Sequence, residues 1–183
     1  LYELVLAAQE AAIAMTKPGK HFMQAHEAAV AVLAQGMLDL NLLDRNQVGH
    51  VEDVIEKKAY TKFYMHRTGH WLGMDVHDCG AYREPNHTAA THAANATSNA
   101  AITSAPATNH IDNGANAVEA PWRILQAGMV TTIEPGIYIQ PDEHVPECYW
   151  HIGIRIEDDA VVTAQGCELI SRDVPVKADE IEA

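Results

Sequence analysis

Three of the chain's 11 histidines, His66, His70 and His77, fall within twelve positions of one another. They stand in the run His66-Arg-Thr-Gly-His70-Trp-Leu-Gly-Met-Asp-Val-His77-Asp78. Imidazole binds borderline metals and moves protons near neutral pH, although a lone histidine is most often a surface or satisfied core residue. The grouping is therefore the signal, and Gly69 argues against a regular helix face displaying His66 and His70 a turn apart. Two glutamates add to it. Glu134, in Thr131-Thr-Ile-Glu134-Pro-Gly-Ile-Tyr138, ends an apolar strand directly before Pro135. A carboxylate there is costly to bury unless it is paired or bound to a cation, and otherwise it faces water at the strand end. Glu157 follows Gly153-Ile-Arg155-Ile and precedes Asp158-Asp159. Strand alternation puts Ile152, Ile154 and Ile156 on one face and Gly153, Arg155 and Glu157 on the other. Arg155 and Glu157 then form either an exposed ion pair worth under about 1 kcal/mol or the lining of a polar site, with Arg155 holding an anionic or carbonyl group. The Asp158-Asp159 pair reads as a hairpin turn rather than a ligand set. One His and two Glu make a borderline-hard N,O donor set, suited to Mn, Co, Fe or Zn and not to Cu(I) or an iron–sulfur cluster.

The elements that must position these residues follow from periodicity. Leu4, Ala8, Ala11, Ala12 and Met15 lie on one stripe of a helix over residues 1–15, ended by Lys17-Pro18-Gly19. A second amphipathic helix is expected over 21–38, with Phe22, Ala25, Ala29, Val30, Leu33 and Met37 on its face. Val51, Val54 and Ile55 indicate a third near 47–59. From Phe63 the helical period gives way to a strand-and-loop region. Residues 86–118 are dominated by Ala, Thr, Asn and Ser, with no Lys or Arg and almost no large apolar side chain; such a segment cannot offset its ordering entropy by burial, so a flexible low-complexity insertion is expected there. Beyond Pro121, β-branched runs at 129–133, 136–139, 152–156 and 160–163 read as strands, followed by a short one from Gly166 through Ile170. A last helical turn is expected at 177–182. Helices followed by antiparallel strands indicate an α+β fold.

Composition bounds the function. At 183 residues, 48% hydrophobic and 20% charged, the chain has the makings of one globular domain. Twelve Lys and Arg stand against 25 Asp and Glu, which argues against a nucleic-acid partner. No apolar run approaches the roughly 18 residues of a membrane span, and the start lacks the pattern of a secretory signal. Three cysteines with no CxxC pair suggest neither a disulfide framework nor a zinc ribbon, and fit a reducing, cytoplasmic setting. The chain opens at Leu1, already inside a helical pattern, so a fragment is expected.

At the three motifs, taken with Trp71 and the run Gly153-Ile-Arg-Ile-Glu-Asp-Asp159, the chain resembles the pita-bread metallopeptidases, and within them the aminopeptidase P group. The likeness covers nearly the whole chain apart from residues 86–118. It implies a partial pita-bread catalytic domain over 1–183, with helices packed on a curved antiparallel sheet. It also implies hydrolysis of the amino-terminal Xaa-Pro peptide bond at two metal ions, Mn²⁺ first, with Co²⁺ or Zn²⁺ as alternatives. Of five expected ligands, His70, Glu134 and Glu157 match positions here. His66 and His77 match positions that hold substrate or stabilise the reacting centre, and Arg155 one that orients the substrate's proline region. In the mechanism so implied, metal-activated water attacks the carbonyl before proline, His77 helps to stabilise the oxyanion, and Glu134 relays the proton. The partners implied are peptides with proline second, with self-assembly into a homo-oligomer left open.

Two departures qualify the resemblance. The family's two aspartate ligands belong to a hairpin upstream of Leu1, and no Asp precedes Asp39 here. One metal site would then keep His70, Glu134 and Glu157 but lack an Asp, the other would keep Glu157 alone, and a full dinuclear centre is not expected. The second departure is the 86–118 insertion between the His and Glu motifs. Competing readings are an Xaa-Pro dipeptidase (prolidase), a non-catalytic pita-bread module that binds peptides, and a structural fragment whose histidines only pack.

Overall fold

A computed structural model describes residues 1–85 and 119–183. The insertion expected at 86–118 lies outside the described residues. Leu1–Gly80 with Ile124–Ala183 make one compact unit, and Ala81–Arg123 make another. In the second unit Arg83 bridges to Trp122, with its guanidinium 3.5 Å from the ring centroid and an ion pair to Glu119.

The first unit opens with α1 (Tyr2–Met15) and α2 (Phe22–Asp39) packed side by side. Small residues allow the close approach: Ala8 and Ala12 of α1, and Ala29 and Ala34 of α2, are fully buried beside Val5, Leu33 and Met37. The α2 face is the one periodicity marks. The α1 face is rotated from the expected stripe, because Val5, Leu6 and Gln9 are buried while Leu4, Ala11 and Met15 are only half-buried. The rotation follows from α1 having a second neighbour, the strand region, which the pattern of one helix cannot reveal. The single third helix expected near 47–59 is instead two short ones, α3 (Arg45–Val48) and α4 (Val51–Glu56), followed by a 3₁₀ turn at Ala59–Lys62. Gly49 divides them with φ +91°, a left-handed backbone that ends a helix.

Among the described residues seven short strands follow: β1 (Leu72–Gly73), β2 (Val76–His77), β3 (Val130–Ile133), β4 (Gly136–Tyr138), β5 (Gly153–Arg155), β6 (Asp158–Val162) and β7 (Cys167–Leu169). All pairings between them are antiparallel, in the groups β1-β2, β3-β6-β7 and β4-β5. The α+β expectation therefore holds, with the one expected sheet divided into three. The split between β3-β6 and β4-β5 has a simple cause. Ile133 pairs with Asp158 and Gly136 with Arg155, so both sides of the gap share one register. Residues 130–138 and 153–162 are one long antiparallel pair interrupted where Pro135 has no N–H to give to the ladder. That shared register sets Glu134 directly opposite Glu157. Asp158 and Asp159 are a correction to the sequence reading. They begin β6 rather than forming a hairpin turn, and Asp158 is 2% exposed. A short helix α5 (Ala178–Ile181) ends the chain. Among the described residues no helix is long and apolar enough to cross a membrane.

Candidate metal centre

His70 reaches the strands on an extended segment laid against β3. Glu134 N–H donates to the Thr68 carbonyl at 2.6 Å and Thr132 N–H to the His70 carbonyl at 2.9 Å. The approach is so close that a Cβ on Gly69 would stand 2.0 Å from the Thr132 carbonyl oxygen. Only glycine fits there, which is why the histidine motif is extended and not helical. The Thr132 hydroxyl accepts from His70 N–H at 3.0 Å and donates to Glu134 Oε1 at 3.0 Å, tying the two segments together.

The structure brings His70, Glu134 and Glu157 into one group, with donor atoms all within 4.8 Å of one another. The tautomer of His70 follows from its surroundings. Nδ1 lies 3.0 Å from the Trp71 carbonyl, an acceptor, so Nδ1 carries the proton and Nε2 presents a lone pair. That lone pair faces Glu134 Oε1 at 3.4 Å. Glu134 is 8% exposed and stands across the strands from Glu157. Partial desolvation first, though the residue as a whole is exposed, and then the charges of Glu134 and Asp159, raise the Glu157 carboxyl above its ordinary value. Three acceptors converging, two of them like-charged and directly opposed, are unfavourable unless a cation lies among them. The donor set and its geometry therefore fit a divalent metal.

A second network adjoins the first. Arg155 Nη1 lies 3.3 Å from Glu134 Oε2, while its Nε donates to the Tyr138 hydroxyl at 2.7 Å. His66 Nδ1 donates to the Arg67 carbonyl at 2.8 Å, so its Nε2 accepts from the Tyr138 hydroxyl at 2.9 Å. Arg155 and Glu157 do share a face as alternation predicts, both exposed on a strand whose isoleucines turn inward. Arg155 nevertheless spends its charge on Glu134 as well. His77, on β2, stacks against His70 with ring centroids 4.1 Å apart. All six residues singled out in the sequence thus converge here, His77 by way of His70. Sequence reasoning missed Tyr138, Thr132 and Thr68. Threonine and tyrosine are ordinary strand residues, and nothing in their spacing tells a hydroxyl that bridges from one that merely packs. Beneath the site, Thr68 Oγ1 meets the buried Tyr64 hydroxyl at 2.6 Å and His26 Nδ1 at 3.0 Å. Burial, then Arg67 and His66, push His26 down to about 4.

A layer of helices behind antiparallel strands, with a His–Glu–Glu group where the strand ladder breaks, has the form of a metal-binding domain. The sequence profile of metallopeptidase family M24 matches residues 1–164, and the chain belongs to that family. Over 182 residues it is 38% identical to an Xaa-Pro aminopeptidase of Haemophilus influenzae, covering 100% of this chain and 33% of that protein. Its fold matches aminopeptidase PepP of Pseudomonas aeruginosa with TM-score 0.75 at 43% identity, over 99% of this chain and 33% of that one. It also matches Escherichia coli aminopeptidase P with the inhibitor Pro-Leu, with TM-score 0.73 at 34% identity, over 99% and 32% of the two chains. A zinc-substituted form of the E. coli enzyme in complex with product is similar to the same degree. The fold is therefore the α+β pita-bread fold, and the chain spans about a third of the length of the curated relatives it matches.

Proposed function

We infer that this segment supplies part of the active site of a metal-dependent peptidase that removes the residue preceding an amino-terminal proline. The observation that carries the reading is the convergence of His70, Glu134 and Glu157 beside the Arg155–Tyr138–His66 network. In it, His70 Nε2 and the two opposed carboxylates hold a divalent cation, Mn²⁺ in our reading, with Zn²⁺ or Co²⁺ as substitutes. When bound, the metal supplies a Lewis acid and an activated water. Glu134, anchored by Thr132 and Arg155, is placed to take a proton at Oε2 and pass it to the leaving proline nitrogen. His77, exposed at the mouth, offers an N–H to the developing carbonyl oxyanion. Arg155, 45% exposed, and His66 present the polar surface against which the proline portion of the peptide is oriented. Pro-Leu as an inhibitor of the E. coli relative agrees with a site that accepts proline.

These 183 residues supply three of the five ligands the family resemblance calls for, so little or no activity is expected of them alone. A cytoplasmic setting fits the unpaired Cys79, Cys148 and Cys167. The test joins the chain to the upstream hairpin of the family and follows cleavage of Xaa-Pro-Yaa tripeptides and Xaa-Pro dipeptides with and without Mn²⁺. Metal-dependent release of the first residue from tripeptides is the expected result. Cleavage of dipeptides alone would make it a prolidase, and peptide binding indifferent to a chelator, without cleavage, would replace the reading with a binding module.

A further inference from the structure

Gln9 is the anomaly of the core. It sits on α1 among Val5, Ala8 and Ala12, is 0% exposed, and occupies a place where an aliphatic side chain would pack without any polar group to satisfy. Its Nε2 lies 3.3 Å from the Ile133 carbonyl, 3.2 Å from the Ile156 carbonyl and 3.0 Å from Asp158 Oδ2. Those two carbonyls belong to the peptide groups that lead into Glu134 and Glu157. One side-chain amide therefore grips both strands immediately before both glutamates. It does so at the point where Pro135 leaves the ladder without a donor. The Ile133–Glu134 peptide is held from both sides, since its N–H goes to Thr68. Gln9 is in turn oriented by Arg172, which donates to its Oε1 at 3.0 Å and pairs with Asp158. Ser171 completes the cluster with a 2.7 Å hydrogen bond to Asp158 Oδ1.

We propose that Gln9 is a positioning residue for the glutamate pair, its amide replacing the missing ladder bonds and fixing the spacing of Glu134 and Glu157 for a cation. The proposal rests on the metal-site reading above, and touches no metal itself. Outer residues that orient ligands typically contribute 10- to 100-fold in metal affinity, so Gln9→Met is expected to weaken Mn²⁺ binding at least about tenfold by titration calorimetry. Gln9→Glu, which keeps the volume but sets a carboxylate against three oxygens, should do the same. Val5→Ala, equally buried on the same helix, is the control: it lowers thermal stability and leaves the affinity unchanged. If Gln9 only fills space, Gln9→Met and Val5→Ala will behave alike, and the proposal is overturned. Crystal structures of the metal-free wild type and Gln9→Met judge it independently. A Glu134–Glu157 separation that widens in the variant supports the clamp, and one that stays the same refutes it, even if the wild type binds no Mn²⁺ and the metal reading itself fails. Should Gln9→Met not fold, Arg172→Met, at a side chain 28% exposed, releases the Gln9 amide and is judged by the same two measurements.

Discussion

Two carboxylates opposed across an antiparallel pair repel one another, and the residue-scale behaviour of this site follows from that repulsion. Glu157 has its carboxyl raised by partial desolvation and by Glu134, so the folded, metal-free chain binds its proton more tightly than the unfolded chain does. Stability contributed through this group falls as pH rises from the ordinary carboxylate range through the raised value. Glu157→Gln should accordingly stabilise the metal-free chain by a few tenths to about 1 kcal/mol at neutral pH, while abolishing any stabilisation by Mn²⁺. Thermal melts with and without the ion read both effects. His26 titrates in the opposite sense. Its value, lowered to about 4 by burial, lies below that of an unfolded histidine, so the unfolded chain takes up the proton first on acidification. Its contribution is full above about pH 6.5 and is lost as pH falls toward 4, up to roughly 3 kcal/mol. A pH series of denaturant midpoints on wild type and His26→Gln should show this slope in the former and a flatter one in the latter.

At the scale of elements, the site depends on how closely the His70 segment lies against β3. Gly69→Ala would drive a Cβ into the Thr132 carbonyl and force the two backbones apart. A loss of about 1–3 kcal/mol is expected, together with weaker Mn²⁺ binding as His70 withdraws from Glu134. Calorimetry showing full affinity would mean the segment can relax without moving the imidazole. Much of this layer was legible in the sequence. Gly69 already argued against a helical histidine face, β-branched runs marked the strands, and alternation put Arg155 and Glu157 on one face. Four features were not legible, each for a physical reason. The break at Gly49 was hidden within the helix expected near 47–59, because Val51, Val54 and Ile55 mark an apolar face without showing that the backbone before them turns left-handed. Asp158-Asp159 carried the local signature of a turn, and only the pairing of Asp158 with Arg172 and Ser171, over a dozen residues away, lets it begin a strand. Gln9 falls within an apolar helix, where one sequence cannot tell a buried amide from an exposed one. Strand register, which sets Glu134 against Glu157, depends on pairing between segments some twenty residues apart and had no local sign.

For the whole molecule, a ligand held only by the folded state must stabilise it. At about 100 times its dissociation constant, Mn²⁺ should add about 2.7 kcal/mol, a rise of roughly 5–10 °C in Tm for a domain of this size. His70→Ala should erase the rise, and scanning calorimetry of the two chains gives the comparison. A Tm indifferent to Mn²⁺ and Zn²⁺ in the wild type would leave the histidines with packing roles alone. The formal charge of −13 works in the same direction, since a bound cation relieves part of the molecule's self-repulsion. Pro135 carries a wider consequence. By leaving the long strand pair without a continuous ladder, it divides one cooperative ribbon into two that can open separately, β4-β5 on one side and β3-β6-β7 on the other. A cation held by Glu134 and Glu157, as proposed, would sit astride that division. Loading the site should then merge two opening events into one, and amide exchange in β4-β5 should slow until it keeps pace with β3-β6. Occupancy of the site would thus be recorded in how much of the chain unfolds as a unit, before any peptide is cleaved.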